Sequence, residues 1–321
     1  MLSSDELGAY ILVLANSMQD NDFYKTLEDA LEDNKQLLEE SLADRSLHAT
    51  QDDFDVFKKL GRDERYQLSS WSRYQVGVWE VMSNPFRTLR PLRISDDRMV
   101  SIRKTFDVKT FHFNKAFLNP EILWEQQWQS IDGHVFNLRV LYNKFPFVPY
   151  HTLIVPDSEL QSEQYLTQLY HTMIWDLISE AGKDIPGFGA GYNSLGACAS
   201  VNHLHFQGFI RDRDFPIELE HWRHNGGDAE YPMRCWSLND KNKAWDTIQK
   251  LHDNNMPYSV LYRSGCCYVI PRQFQGSERV NYAVAGAGWI EECGVFIAAG
   301  TDEINALTEG IIFDDLKSLS A

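Results

Sequence analysis

The run His203-Leu204-His205-Phe206-Gln207 alternates polar and apolar residues without a break, which is the pattern of a half-buried β-strand. Successive strand side chains point to opposite faces. On that reading His203, His205 and Gln207 share one face, with Leu204 and Phe206 packed on the other. Such a run leaves the chain around it little choice of which face goes inward. Upstream lie Asn193, Ser194, Gly196 and Ser200, small and polar residues suited to a loop whose backbone N–H groups wrap a phosphate. An imidazole beside such a loop suits transfer of a phosphoryl-linked group. Neutral imidazole, with an ordinary pKa of about 6.5, is a competent nucleophile near neutrality. Taken alone, two histidines two residues apart also fit a strand whose rings are merely hydrogen-bonded, or a metal-binding pair.

The longer stretch from Gly191 to Phe209, GYNSLGACASVNHLHFQGF, resembles the histidine-triad superfamily. It is most similar to the GDP-hexose phosphorylase branch, the GDP-L-galactose and GDP-D-glucose phosphorylases. That branch carries a GxNSLGxxAxxNHLHxQ-like segment, and GYNSLGACASVNHLHFQ matches nearly every fixed position. Dinucleoside tetraphosphate phosphorylases and hexose-1-phosphate uridylyltransferases share a looser version. A charged connector after Phe209, with an FPIE-type segment, extends the likeness. The resemblance implies an α+β fold: a histidine-triad-like antiparallel sheet with packed helices. It also implies two histidine-triad-like halves, as in galactose-1-phosphate uridylyltransferase, the second degenerate. The expected organisation is an acidic helical extension over 1–66, a catalytic half over 67–225 and a degenerate half over 226–321.

The resemblance also assigns roles. The second histidine of the pair, His205, is expected to attack the α-phosphorus of a nucleoside diphosphate sugar. That step gives a covalent nucleotidyl-histidine and hexose 1-phosphate, and inorganic phosphate then releases the nucleoside diphosphate. His203 is expected to orient the site and to hydrogen-bond the phosphate or its neighbours. Gln207 stands where the hydrolase branch has a third histidine. An amide is a poor proton donor, which favours phosphorolysis over hydrolysis. Ser194, Ser200, Asn193 and the amides around Gly196 are expected to offset charge on the phosphate oxygens. A second element, NKFPFVPYHTLIVP, resembles the family's Pro-rich turn. There Asn143 is expected to contact the ribose, and Lys144 either pairs with phosphate or is an ordinary surface lysine. His151 reads as a hydrogen bonder that orients the loop. Arg272 offers a guanidinium that matches phosphate oxygens, or else caps a strand. Aromatic residues of Phe106–Phe113 and Phe136 could sandwich a base.

The implied reaction is GDP-hexose plus phosphate to hexose 1-phosphate plus GDP. The loop NKFPFVP leans toward the tetraphosphate branch, so a dinucleoside polyphosphate phosphorylase or adenylyltransferase is the alternative, followed by a non-catalytic nucleotide sensor. The chemistry requires no cofactor. The CxxC that holds a structural zinc in the uridylyltransferases is missing, so no structural zinc or other metal is expected. The family often forms homodimers, which makes a homodimer an expectation here.

Charge bears on partners. The formal net charge is −16, which disfavours a general nucleic-acid binder. Residues 1–64 hold 16 acids and 6 bases, so the remainder of the chain is close to balanced and need not repel an anionic nucleotide. Five scattered cysteines suggest reduced thiols. The first residues lack the basic start of a signal peptide, and no run approaches the roughly 18 apolar residues of a membrane span. Solubility, a cytoplasmic setting and no membrane partner are expected. Periodicity predicts helices over 5–45, 159–181 and 242–255, and a helical end from Thr301. Strands are predicted over 71–82, 106–113, 135–142, 152–155, 257–262, 266–271 and 293–299.

Overall fold

Val135–Tyr142 shows how the sheet is built. Phe136 and Leu138 point into one core, Leu141 into another, and Val135 and Asn137 face solvent. The computed structural model describes residues 6–44, 51–60, 71–84, 89, 99–276, 286–298 and 301–321. Its elements are α1 (Glu6–Ser17), α2 (Asn21–Ala43), α3 (Gln51–Leu60), β1 (Ser72–Val76), β2 (Trp79–Ser83), β3 (Ile122–Gln129), β4 (Val135–Tyr142), β5 (Thr152–Pro156) and α4 (Gln168–Ala181). There follow β6 (Phe188–Asn193), β7 (Phe206–Ile210), β8 (Trp236–Leu238), α5 (Lys241–Asp253), β9 (Tyr258–Arg263), β10 (Cys266–Pro271), α6 (Trp289–Glu292), β11 (Val295–Ala298), α7 (Thr301–Ala306) and α8 (Glu309–Leu319).

Eight strands form one antiparallel sheet in the order β3-β4-β5-β7-β6-β9-β10-β8. Apolar residues of α4 and α5, among them Met173, Ile174, Ile178, Ala244 and Ile248, cover one face. The other face packs on β2, β11, α6 and α8 through Phe209, Leu261, Trp289 and Leu316. The fold is thus α+β with an antiparallel sheet and packed helices, as expected. The sheet runs across residues 225 and 226, since β6 pairs with β9. In a second, smaller sheet, β2 pairs with β11 from the far end of the chain. The expected boundary at 66 and 67 lies outside the described residues.

Several elements differ from the sequence reading, each for a local reason. The N-terminal helix is two helices, because Asp20 caps α2 by accepting from Asp22 N–H and Phe23 N–H. The strand predicted over 71–82 is a hairpin that turns at Gly77, where φ is +60°. Residues 106–113 form no strand and run as an aromatic loop. The edge strand β3 escaped prediction because its residues are largely exposed on both faces. Helix α4 starts only at Gln168, behind the cap Thr167.

Candidate active site

The decisive strand is shorter than its alternation suggested. β7 begins at Phe206, so Gln207 lies within it while His205 and His203 precede it. His205 and Gln207 line a cavity of about 680 Å³ together with Asn143, Lys144, Asn193 and Ser200. His203, Ser194, Gly196 and Arg272 do not line it. The sheet face that carries the cavity is the one opposite α4, since Phe206 packs on the α4 side and the next residue, Gln207, points the other way to Trp289.

His205 is 6% exposed. Its Nδ1 lies 2.9 Å from the His203 carbonyl oxygen and 3.0 Å from Gln164 Oε1. Both neighbours are acceptors, so the proton belongs on Nδ1 and the lone pair on Nε2. The ring sits 4.9 Å from that of Phe113, tilted by 56°. Gln207 is oriented from the far side of the fold. Its Oε1 accepts from the indole N–H of Trp289 at 3.1 Å, which turns the amide's two N–H donors the other way. Trp289 is itself fixed. It stacks on Phe209 at 5.3 Å and 18°, and its backbone N–H donates to Asn193 Oδ1 at 2.8 Å. Gly191 lets it lie there, because a Cβ at 191 would stand 2.1 Å from the indole.

His203, expected to orient the site and to bond the phosphate or its neighbours, does not line the cavity and bonds its protein neighbours. It is buried, and its Nδ1 accepts from Phe113 N–H at 3.1 Å. Burial pushes its pKa down to about 4, helped by His205 and His112, so the ring is neutral and anchors the loop that carries Phe113. In the loop at 194–198 several of the expected donors are already engaged. Ser194 Oγ donates to Leu195 O and accepts from Tyr258 N–H. Ala197 N–H is taken by Ser194 O, and Cys198 N–H by Gln275 Oε1. These groups are spent on the turn, which Gly196 makes with φ +81° against Phe274. Asn193 is likewise bound through Oδ1 to Ser259 Oγ and Trp289 N–H.

Arg272 is no phosphate ligand in this arrangement. It is 0% exposed and pairs with Glu292 at 2.9 Å, while also donating to Ala287 O. Lys144 lies at the cavity but its ammonium is already shared, 3.1 Å from both Asp53 and Glu121. Burial alone would lower its pKa, yet the two carboxylates outweigh that and raise it. Asn143 holds its own loop, with Oδ1 accepting from Phe145 N–H and Nδ2 3.2 Å from His151 Nε2. Phe111, Phe113 and Phe117 line the cavity, whereas Phe136 is buried against Trp128 and Tyr170. The N-terminal extension supplies a wall: Asp52, Asp53 and Val56 of α3 line the cavity, and Asn16 and Gln19 reach Asn143 O and Tyr150 N–H.

Sequence reasoning missed Gln164, Trp289 and the Asp53–Lys144–Glu121 cluster. Gln164 falls in the polar first turns of the helix predicted over 159–181, so nothing marked it as buried. Trp289, in GAGWIEE, carried a usable signal: a large aromatic set among glycines next to a short acidic helix.

Comparison with known proteins shows what this chain is similar to. Residues 81–209 match the family described as GDPGP1-like, N-terminal domain. GDP-D-glucose phosphorylase 1 from Danio rerio is 38% identical over 128 residues, 39% of this chain and 35% of that protein. GDP-L-galactose phosphorylase 2 from Arabidopsis thaliana is 31% identical over 138 residues, 38% of this chain and 32% of its own length. The chain therefore spans about a third of the length of these curated relatives. Among solved structures, yeast Ap4A phosphorylase Apa2 superposes with a TM-score of 0.53 at 16% identity, over 84% of this chain and 94% of that one. The same protein in complex with Ap4A superposes with a TM-score of 0.51. The sequence resemblance to GDP-hexose phosphorylases and the fold shared with Apa2 thus stand on separate comparisons. Among the described residues, no cluster of three or more His, Cys, Asp and Glu is arranged to hold a metal ion. No described helix is long and apolar enough to cross a membrane.

Proposed function

We propose that this chain phosphorolyses a nucleoside diphosphate sugar, converting GDP-hexose and phosphate to hexose 1-phosphate and GDP through a nucleotidyl-His205 intermediate. The observation that carries the reading is His205 at the cavity, its Nδ1 proton held by two oxygens and Gln207 presenting amide donors beside it. The Nε2 lone pair bonds to the α-phosphorus, and the bond from that phosphorus to the bridging oxygen breaks. Its electron pair leaves with hexose 1-phosphate. A phosphate monoester is a stable leaving group, so the step needs no proton from residue 207, and an amide suffices there. Gln207 N–H groups offset charge on a non-bridging oxygen. An oxygen of inorganic phosphate then attacks the same phosphorus, the Nε2–P bond breaks, and GDP leaves. The aromatic wall of Phe111, Phe113 and Phe117 suits a stacked base.

The test is to incubate the protein with phosphate and GDP-sugars, UDP-sugars, ADP-sugars and dinucleoside polyphosphates, and to follow diphosphate release. Phosphate-dependent consumption of a GDP-hexose, with a protein-bound nucleotide in the absence of phosphate that His205→Ala abolishes, is the expected result. Preference for a dinucleoside polyphosphate moves the substrate and keeps the mechanism. Nucleotide binding without turnover of any donor overturns the catalytic reading.

A further inference from the structure

Gln164 lies on the connection between β5 and α4, outside the histidine motif, and is 1% exposed. Its side-chain amide is fully engaged. Oε1 accepts from His205 backbone N–H at 2.9 Å and stands 3.0 Å from His205 Nδ1. Nε2 donates to Asn193 O at 2.9 Å and to His205 O at 3.2 Å. The backbone is held too: Gln164 N–H donates to Asn202 Oδ1 at 3.0 Å, and its carbonyl accepts from Tyr192 Oη at 3.3 Å. The amide cannot be turned over, because that would set its oxygen against two carbonyl oxygens and its NH₂ against an N–H donor.

We propose that Gln164 is the positioning residue for His205, fixing both the tautomer and the ring plane from which Nε2 acts. This rests on the reading of His205 as nucleophile. The His203 carbonyl reaches Nδ1 from within the motif, but a single acceptor leaves the ring free to pivot about that bond. Gln164 adds a second acceptor on the same nitrogen and grips the main chain of residue 205 at both its N–H and its carbonyl. The ring and the backbone that carries it are therefore fixed by one side chain.

The neutrality of that side chain is part of the device. A carboxylate against Nδ1 stabilises imidazolium, which suits a general base that must take up a proton. A nucleophile has to keep its attacking nitrogen unprotonated before the step. An amide oxygen supplies the orienting acceptor with far less pull toward the protonated ring.

Two variants and a measurement independent of turnover test this. In protein carrying ¹⁵N-labelled histidine, the ring nitrogens of residue 205, assigned with His205→Asn, are expected to report Nδ1–H across neutral pH. Gln164→Met keeps the volume and removes the acceptor. It is expected to mix the two tautomers and to slow nucleotidyl transfer about 10- to 100-fold, with nucleotide affinity changed less than about threefold. Gln164→Glu keeps the shape and adds charge. It is expected to move the titration of His205, and the acid limb of the rate profile, to higher pH, which a merely structural role would not do. If Gln164→Met fails to fold, the Glu variant and the wild-type tautomer still decide. A wild-type His205 protonated on Nε2, or folded variants with tautomer and titration unchanged, overturns the proposal. Gln164-dependent tautomers in a protein with no phosphorolysis would instead spare the positioning role and sink the proposed reaction.

Discussion

The floor and the rim of the cavity hold their polar groups in opposite ways. On the floor, the groups hydrogen-bonded around the candidate nucleophile and Gln207 are neutral: an imidazole, the amides of Gln164, Gln207 and Asn193, and the indole of Trp289. At the rim, Lys144 stands between two carboxylates, one of them Asp53 from the N-terminal helices. In a dry interior a fixed dipole is effective and an isolated charge is costly, so geometry that must not change is built from satisfied neutral hydrogen bonds. The exception proves instructive. A fully buried ion pair, Arg272 with Glu292, lies behind the floor, and Arg272 also grips Ala287 two residues before Trp289. The chain thus spends its Arg272–Glu292 charge on structure, while the charge that lines the cavity is shared among Lys144, Asp53 and Glu121.

Breaking that buried pair gives the largest expected effect. Arg272→Ala leaves the Glu292 carboxylate in the interior, and the expected loss of stability is about 3–5 kcal/mol. Urea unfolding measures it. Were Arg272 instead a phosphate ligand, the variant would weaken substrate binding and leave the unfolding midpoint in place, and that result would remove the distinction between floor and rim.

The next effect comes from the neutral histidines. Burial holds His203, behind the cavity wall beside His205, and His171, between Tyr262 and Lys241 O on the other side of the sheet, at pKa values of about 4. Unfolded histidine titrates near 6.5, so between these values the unfolded chain binds more protons and acid favours it. Each ring is expected to cost roughly 2 kcal/mol of stability between pH 7 and pH 5. The loss should be recovered in full on returning above pH 7. A profile flat over that range, or one whose slope His171→Asn leaves unchanged, contradicts the neutral assignment.

How much of this was legible beforehand differs between the two regions. The sheet, its helices and the candidate nucleophile were readable because alternation, helical stripes and a dense motif are local signals. β4 falls on its predicted residues, and His205 lies at the cavity. The face of His203 was misread because alternation was extended past the point where the strand begins. Lys144 and Arg272 were judged by residue type, as cations suited to phosphate. Whether a cation is spent elsewhere depends on partners 91 and 20 residues away, which no local pattern reveals. Gln164 was missed for the same reason, since its contacts are to Asn193 and His205.

The contact between Gly191 and Trp289 gives a middle-sized test of the floor. Gly191→Ala puts a methyl 2.1 Å from the indole, against ring atoms held by Phe209 and Asn193. Overpacking of this kind costs about 1–3 kcal/mol. Displacing the indole also releases Gln207, so turnover in the proposed reaction is expected to fall more than nucleotide affinity does. Gly310→Ala, where nothing lies within 4 Å of an added methyl, is the control and should change neither.

The smallest effect belongs to the rim, and it has the opposite sign. Asp53 and Glu121 occupy the Lys144 ammonium that a phosphate would otherwise meet. Lys144 is largely buried, but Glu121 still pairs with its ammonium when Asp53 is lost, so the change is expected to be worth only about 0.2–1 kcal/mol. Asp53→Asn is expected to lower the KM for an anionic nucleotide by roughly that amount, up to about fivefold, with kcat unchanged. The gain should shrink as ionic strength rises, because the released ammonium is screened like any other charge near solvent. Glu121→Gln should act in the same direction, and the double variant should exceed either single change. A raised KM in both variants would mean that the carboxylates hold the ammonium in its working position. The rim would then be fixed geometry like the floor, with charges in place of amides.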